Sequence, residues 1–130
     1  MAQTQAIPTE GLGEMAKWLG EGAGASEIQS MCCLKTACTA DKDQTSAGVT
    51  KADESGMTLA DCDSCTSTGA VITAYHTFTA GAAATIKGFG AWNNDDDALM
   101  GICCYNADVV MEKDDTLKNT MTWTLSDETV

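Results

Sequence analysis

Regular alternation of apolar and polar residues is the feature that most limits what this chain can fold into. In residues 117–125, Met121, Trp123 and Leu125 alternate with threonines. Residues 70–80 show the same period of two. Successive side chains of a β-strand point to opposite faces, so this pattern is typical of a strand with one buried face. We therefore predict a β-strand in each of these two segments.

Further short strands, separated by turn residues, define the predicted fold class. The segment 57–68 is ambiguous and is interpreted as a strand broken by a turn. Turn signals recur about every 8–12 residues, which is typical of a sandwich or a small barrel. We predict a mainly β chain, an antiparallel β-sandwich or small barrel with one N-terminal α-helix. The remaining predicted strands cover residues 28–38, 85–92, 98–106 and 109–111.

One amphipathic helix is predicted ahead of the strands. Leu12, Met15 and Leu19 are spaced to lie on one helical face. Thr9 suits the N-cap of this helix, and Gly20 suits its C-terminal stop. A length of 130 residues indicates a single domain over 1–130. That domain divides into an N-terminal arm at 1–8, the helix at 9–20, and a β-sandwich at 28–126 with a polar excursion at 39–56.

The charge of the chain argues against two classes of partner. Nineteen acidic residues face seven basic ones, the net charge is −12, and every basic residue is a lysine. Nucleic-acid binding requires cationic groups that neutralise phosphates, and arginine is the usual one. A polybasic membrane anchor is equally unexpected. The sequence also lacks a run of about 20 apolar residues and a recognisable secretory signal, so we predict neither a membrane span nor export.

The cysteine content is high, and we predict that these residues are thiols. With no export signal in view, the expected compartment is a reducing cytosol. An odd number of cysteines also leaves at least one unpaired. Two adjacent pairs fall in predicted strands, where neighbours point to opposite faces, so we expect one buried and one exposed or interfacial member in each pair. The seven cysteines are Cys32, Cys33, Cys38, Cys62, Cys65, Cys103 and Cys104.

Cys62 and Cys65 form the only C-x-x-C motif, which is half of a zinc site or a redox pair. A structural zinc ion needs four ligands, and no second motif of this kind is present. Asp61 and Asp63 flank the pair, and their negative charge raises thiol pKa values and opposes reactivity. Three interpretations stay open: incidental thiols, a disulfide formed later in an oxidising medium, and a metal site. We predict no cofactor.

Two other polar groupings are interpreted as structural. The run Asn93–Asp97 offers oxygen ligands for Ca²⁺ but lacks the spacing of a known calcium loop, so Asp95 and Asp97 are weak metal candidates in a solvated turn. His76 is the only histidine and is predicted to be partly buried and hydrogen-bonded. No motif for acyl transfer, phosphate binding or metalloprotease chemistry occurs, so we predict no enzymatic activity.

Five segments of the second half carry a resemblance to a known family. They read HTFTA at 76–80, IKGFGAWN at 86–93, ALM at 98–100, VVMEKDD at 109–115 and TLKNTMTWTL at 116–125. In these segments the chain resembles small tailed-phage virion proteins of the head-decoration or tail-fibre-like type. It departs from them at Gly101 and Ile102, where family members place an arginine, and in its many cysteines.

The resemblance implies a non-enzymatic virion structural protein, assembled in the host cytoplasm and exposed outside after release. A capsid decoration (cement) protein is the first expectation, because the chain is one compact domain with no shaft. A tail or fibre-associated component is the second. A small cysteine-based metal or redox module is an alternative from a different class, and it would use Cys62 and Cys65.

An excess of large apolar residues predicts self-association. A sandwich is expected to hide one face of each strand, so the surplus would be buried between copies of the chain. We predict a symmetric homo-oligomer, a trimer, that contacts the major capsid protein or tail proteins. The apolar helix face is expected to cap the sandwich in preference to docking on a partner. The interface candidates are Leu12, Met15, Trp18, Leu19 and Trp92.

Overall fold

The computed structural model describes residues 3–20, 27–35 and 38–125. In this part of the chain, no helix has both the length and the hydrophobicity needed to span a membrane. Within it the chain forms one helix and eight strands. They are β1 (Gln3–Ala6), α1 (Thr9–Gly20), β2 (Ile28–Leu34), β3 (Ala60–Asp61), β4 (Ser64–Thr68), β5 (Val71–Thr79), β6 (Ala84–Asn93), β7 (Leu99–Met111) and β8 (Thr116–Thr124).

The strands form two antiparallel sheets that pack as a sandwich. The major sheet has the order β1-β7-β6-β2-β3, and the minor sheet has the order β4-β5-β8. The sheets do not close into a barrel. The predicted class, a mainly β sandwich with one N-terminal helix, is therefore confirmed in its sandwich form.

The alternating segments form the minor sheet, as their period of two predicts. Ala74 and Phe78 of β5 are buried, and so are Asn119 and Trp123 of β8. The threonines between the buried residues of β8 are exposed. β5 and β8 pair along nine residues without a register shift.

Three predicted boundaries differ from the structure. The strand predicted at 28–38 ends at Leu34. The strands predicted at 98–106 and 109–111 form one strand, β7, because a bulge opposite β6 takes up the polar residues between them. The segment 57–68 is interrupted as predicted, but the interruption is a change of sheet. The amide N–H of Cys62 donates to the Gln29 carbonyl in the major sheet, and that of Asp63 donates to the Tyr75 carbonyl in the minor sheet.

The predicted N-terminal arm contains a strand. Residues 3–6 pair with β7 from Tyr105 to Ile102 and so extend the major sheet. The sequence QTQA shows no apolar alternation, so this strand is specified by the β7 edge on which it lies rather than by local preference.

The first core fills the space between the two sheets, and polar contacts cross it. The Asn119 side-chain amide donates to the Cys33 sulfur at 3.6 Å. The Trp123 indole Nε1 donates to the Met100 carbonyl at 3.0 Å. The Tyr105 hydroxyl donates to Oδ1 of the buried Asn119. The contacts of Trp123 and Tyr105 anchor β8 on the major sheet, because breaking either would leave a buried polar group unpaired. The largest buried residues of this core include Met31, Phe78, Ile86, Phe89, Met100 and Trp123.

A second core covers the opposite face of the major sheet. The polar excursion and its flanks, residues 38–59, pack over this face with Ala40, Val49 and Leu59. The centre of the major sheet, formed by β2, β6 and the first half of β7, is therefore buried on both faces by its own chain. The buried residues are Cys32, Leu34, Trp92, Leu99, Ile102 and Cys104.

Burial of both faces corrects two expectations. Both members of each adjacent cysteine pair are buried, because they point into different cores. Cys33 and Cys103 lie in the first core, and Cys32 and Cys104 lie in the second. The premise that a sandwich hides one face of each strand is also wrong for the major sheet. Most of the apolar surplus that suggested self-association is accounted for within a single chain.

Hydrogen bonds from the helix hold the excursion in place. One carboxylate oxygen of Glu10 accepts from the amides of Leu99 and Ser46, both at 2.6 Å. The Ser46 hydroxyl in turn accepts from the Trp92 indole at 2.8 Å. Trp92 has no exposed surface, so the prediction that it is an interface residue is wrong.

Gly90 makes room for Trp92 in the second core. A Cβ at this position would lie 2.9 Å from two atoms of the Trp92 ring. We expect Gly90→Ala to lower the free energy of unfolding by about 1–3 kcal/mol, because the ring must move within a packed core. Urea denaturation measures the change.

Gly13→Ala is the matched control for this substitution. Gly13 lies in α1, and a Cβ there meets nothing within 4 Å. Alanine at this position should raise stability by up to about 1 kcal/mol, since it reduces the freedom of the unfolded chain. Equal effects of the two substitutions would contradict the packing assigned to Gly90.

Candidate assembly surface

The two sheets leave a groove open along one side of the sandwich. β1 is the edge of the major sheet and β8 is the edge of the minor sheet, and the groove runs between them. Its volume is about 430 Å³. Residues 5–7 line one side and residues 120–124 line the other, with Phe89, Gly101, Ile102 and Cys103 between them.

The groove combines apolar side chains with polar groups in about equal measure. Met121 and Trp123 both line it from β8. A Cβ on Gly101 would lie 2.3 Å from the Met121 sulfur, so the glycine allows this side chain to lie against β7. Thr120 and Thr122 are exposed at the rim. Apolar side chains of another molecule would find both a contact surface and hydrogen-bonding groups here.

The turn before β8 is acidic. Glu112, Asp114 and Asp115 are exposed there, together with Lys113. Lys118 is the only basic residue of β8, and its Nζ lies over the Tyr75 ring at 4.2 Å from the centroid. The middle of the β8 edge is therefore nearly neutral, and the turn before it is negatively charged.

The C-x-x-C motif lies in a separate cleft of about 620 Å³, lined in part by Glu27, Cys62 and Cys65. Burial raises the pKa of the Cys62 thiol to about 12, and the charge of Cys65 is the second cause of this rise. Burial also raises the pKa of the Cys65 thiol, and the negative charge of Glu27 adds to this effect. Both shifts favour the protonated thiol, whereas redox exchange uses the thiolate. This environment fits incidental thiols better than a redox pair.

The other metal candidates serve the turn in which they lie. The Asn93 side-chain nitrogen Nδ2 donates a hydrogen bond to Asp97 Oδ1 at 2.7 Å. Asn93 Oδ1 accepts hydrogen bonds from the backbone amides of Asp97 and Ala98. Across residues 3–20, 27–35 and 38–125, no three histidine, cysteine or acidic side chains converge to hold a metal ion. Asp95 and Asp97 are thus not brought together with Cys62 and Cys65.

His76 also has structural neighbours. Its Nδ1 lies 2.9 Å from Asp63 Oδ1, close enough for an ion pair but not aligned as a hydrogen bond. The other Asp63 oxygen accepts from the Thr77 amide at 2.9 Å. The imidazole packs edge-on against the Phe78 ring, with the two ring centroids 4.5 Å apart. The predicted partial burial is confirmed, and Nδ1 itself forms no hydrogen bond.

Two cysteines form a disulfide that the sequence analysis did not predict. Cys38 is bonded to Cys104 across a sequence separation of 66 residues, and the other five cysteines are free. The bond ties the excursion to β7. Gly88 lies beneath it, since a Cβ there would be 3.0 Å from the Cys38 sulfur. No spacing rule points to this pair, and the expectation that all cysteines are thiols is corrected here.

The predicted helix face is only partly available for contacts. Met15 is buried in the first core, which agrees with the expected capping of the sandwich. Leu12 is 50% exposed. The side chains of Trp18 and Leu19 lie outside the described residues. Of the five interface candidates, Leu12 alone is described as exposed.

Comparison with known proteins returned no match to a protein family, to a curated protein or to a solved structure. The resemblance to tailed-phage virion proteins stays a prediction from sequence.

Thiol labelling tests the arrangement of the cysteines. We expect iodoacetamide to modify Cys65 first in the folded protein, because it alone among the free thiols is exposed. Cys32, Cys33 and Cys103 are buried and should react only after unfolding. Mass spectrometry should count five labels after unfolding without reductant and seven after reduction. Seven labels without reductant would contradict the disulfide.

Removal of the disulfide should destabilise the fold. We expect the double variant Cys38→Ala with Cys104→Ala to lose about 3–4 kcal/mol in the free energy of unfolding, because a long loop is no longer closed in the unfolded chain. Urea denaturation measures the loss, and the same experiment on the reduced parent protein is the control. A loss below about 1 kcal/mol would show that the bond does not hold the excursion in place.

Proposed function

We propose that this chain is a non-enzymatic structural protein of a tailed-phage virion that decorates the capsid shell. The observation that carries the proposal is the open groove between β1 and β8, at the edges of the two sheets. A protein of this shape works by contact: it presents a preformed surface and supplies no reacting group.

The distribution of the family-like segments supports this proposal. HTFTA covers the end of β5, IKGFGAWN lies in β6, and TLKNTMTWTL covers β8 and Leu125. These strands belong to both sheets of the sandwich, and β6 and β8 contribute residues to the groove. The resemblance therefore concerns the scaffold and its open edge.

The rigidity expected of the body also supports a structural role. The major sheet is covered on both faces, and a disulfide and the Glu10 contacts tie down the covering segment. A preformed surface loses little conformational entropy on binding, which favours stable attachment to a shell.

Self-association into a trimer is part of the proposal, and exposed apolar side chains support it. The exposed large apolar side chains among the described residues are Leu12, Val110 and Leu125. Contacts between copies would cover such residues. The further partner is the major capsid protein, or tail proteins if the chain belongs to the tail or its fibres.

The copy number in purified particles tests the proposed function. We expect quantitative mass spectrometry to find hundreds of copies per particle, with the major capsid protein as the internal standard. A dozen copies or fewer would move the protein to the tail or to a vertex. Failure to find the protein in particles would contradict the virion role.

A further inference from the structure

We propose that Cys62 and Cys65 are a site of oxidative modification, at which a small-molecule disulfide closes the two thiols into an intramolecular bond. This bond would join the edges of the two sheets. The inference goes beyond the decorating role and does not depend on it. Three observations carry it: the position of the two cysteines between the sheets, the shared face of their side chains, and the burial of every other free thiol.

Cys62 and Cys65 lie on either side of the point where the chain changes sheets. The Cys62 amide donates to the Gln29 carbonyl of β2 at 2.7 Å, whereas the Asp63 amide donates to the Tyr75 carbonyl of β5 at 2.8 Å. Cys62 is therefore bonded to the major sheet, and Cys65 belongs to β4 of the minor sheet. β3 and β4 are edge strands, so a bond between the two cysteines would connect the sheets at their edges.

The side chains of both cysteines face the same cleft. Cys65 lies directly opposite Ala74 in the ladder between β4 and β5. Directly opposed residues of an antiparallel ladder point to the same face, and Ala74 is fully buried in the first core. The Cys65 side chain is therefore on the inner face of the minor sheet. Cys62 packs against the same core, and both residues line the cleft of about 620 Å³.

The chain between the two cysteines allows their sulfurs to approach. Only two residues separate them, and the chain bends at the first of these, Asp63. The charge of Cys65 contributes to the raised pKa of Cys62, so the two sulfurs lie within electrostatic range of each other. Cysteines at this spacing form disulfides in thiol–disulfide oxidoreductases, which shows that the ring they close is sterically possible.

The other cysteines do not compete for an oxidant in the folded protein. Three free thiols are buried in the two cores, and two cysteines are already bonded to each other. Cys65 is exposed, and Cys62 is half-buried. A dissolved disulfide therefore reaches Cys65 first, and Cys62 is the free thiol in the same cleft. The three buried free thiols are Cys32, Cys33 and Cys103.

The reaction takes two steps and consumes one molecule of oxidised glutathione. The Cys65 thiolate attacks one glutathione sulfur, a mixed disulfide forms, and one reduced glutathione leaves. The Cys62 thiolate then attacks the Cys65 sulfur, the intramolecular disulfide forms, and the second reduced glutathione leaves. The two thiols lose two electrons and two protons, and the two glutathione molecules take them up.

The surroundings of the pair slow the closure but do not oppose its product. Burial raises the pKa of both thiols, and the charges of Asp61 and Asp63 at Cys62 and of Glu27 at Cys65 add to this effect. Because the thiolate is the attacking species, the rate of closure should rise with pH. The disulfide itself carries no charge, so the acidic neighbours do not destabilise it. This environment fits a structural bond better than repeated catalytic exchange.

Oxidation by glutathione, followed by mass spectrometry, tests the inference. The parent protein with five free thiols is incubated with oxidised glutathione, freed of glutathione, unfolded without reductant and labelled with iodoacetamide. We expect the label count to fall from five to three, because Cys62 and Cys65 no longer react. Peptide mapping should find the bond between these two residues. The rate of closure should rise at least tenfold between pH 7 and pH 9.

Two matched variants separate the two steps of the reaction. Cys62→Ser keeps the exposed thiol, so it should stop at the mixed disulfide and gain one glutathione. Cys65→Ser lacks the first attacking group, so it should gain glutathione at least tenfold more slowly. Thermal unfolding shows which variants fold like the parent. Cys62→Ala takes the place of Cys62→Ser if a hydroxyl at this half-buried position lowers the stability.

Three results would overturn the inference. The parent could keep all five labels, or it could retain glutathione on Cys65 while Cys62 stays free. The third is a bond between Cys65 of two copies, which a non-reducing gel would show as a dimer. None of these results changes the copy number in particles, so failure of the inference and failure of the proposed function are distinguishable.

Discussion

Burial of the major sheet on both faces is the constraint on which the rest of the structure depends. The excursion that provides the second cover is polar in sequence, so it is held by specific bonds as well as by its few apolar side chains. Glu10 reaches from the helix to Leu99 and Ser46, and the Cys38–Cys104 disulfide fastens the start of the excursion to β7. These contacts close the outer face of the major sheet, whereas the groove beside β8 and the cleft at Cys62 and Cys65 stay open to other molecules.

The position of β8 follows from the first core. Its inner residues alternate between apolar packing and polar anchoring, with Trp123 bonded to Met100 and Asn119 bonded to Tyr105. Those anchors hold the strand over the major sheet while its outer backbone groups stay unpaired among the described residues. The same period of two places the buried anchors on one face of β8 and the exposed threonines on the other.

The local pattern of the sequence predicts the minor sheet well and the covering segment poorly. Alternation over 70–80 and 117–125 is a short-range signal, and the structure confirms it in β5 and β8. The excursion, β1 and the disulfide are specified by contacts between distant residues, and no local pattern marks them. Trp92 illustrates the consequence, because a tryptophan that looks surplus for one face is needed for the other.

The candidate surface could be predicted only in part for the same reason. The sequence shows threonines on one face of β8, but the direction of each backbone group depends on the register with β5. Residue-resolved hydrogen exchange on the free chain is the most direct test. The account predicts that the Thr120 and Thr122 amides exchange at least tenfold faster than the Met121 amide, because the register directs only Met121 toward β5. Equal exchange rates at the three amides would contradict it.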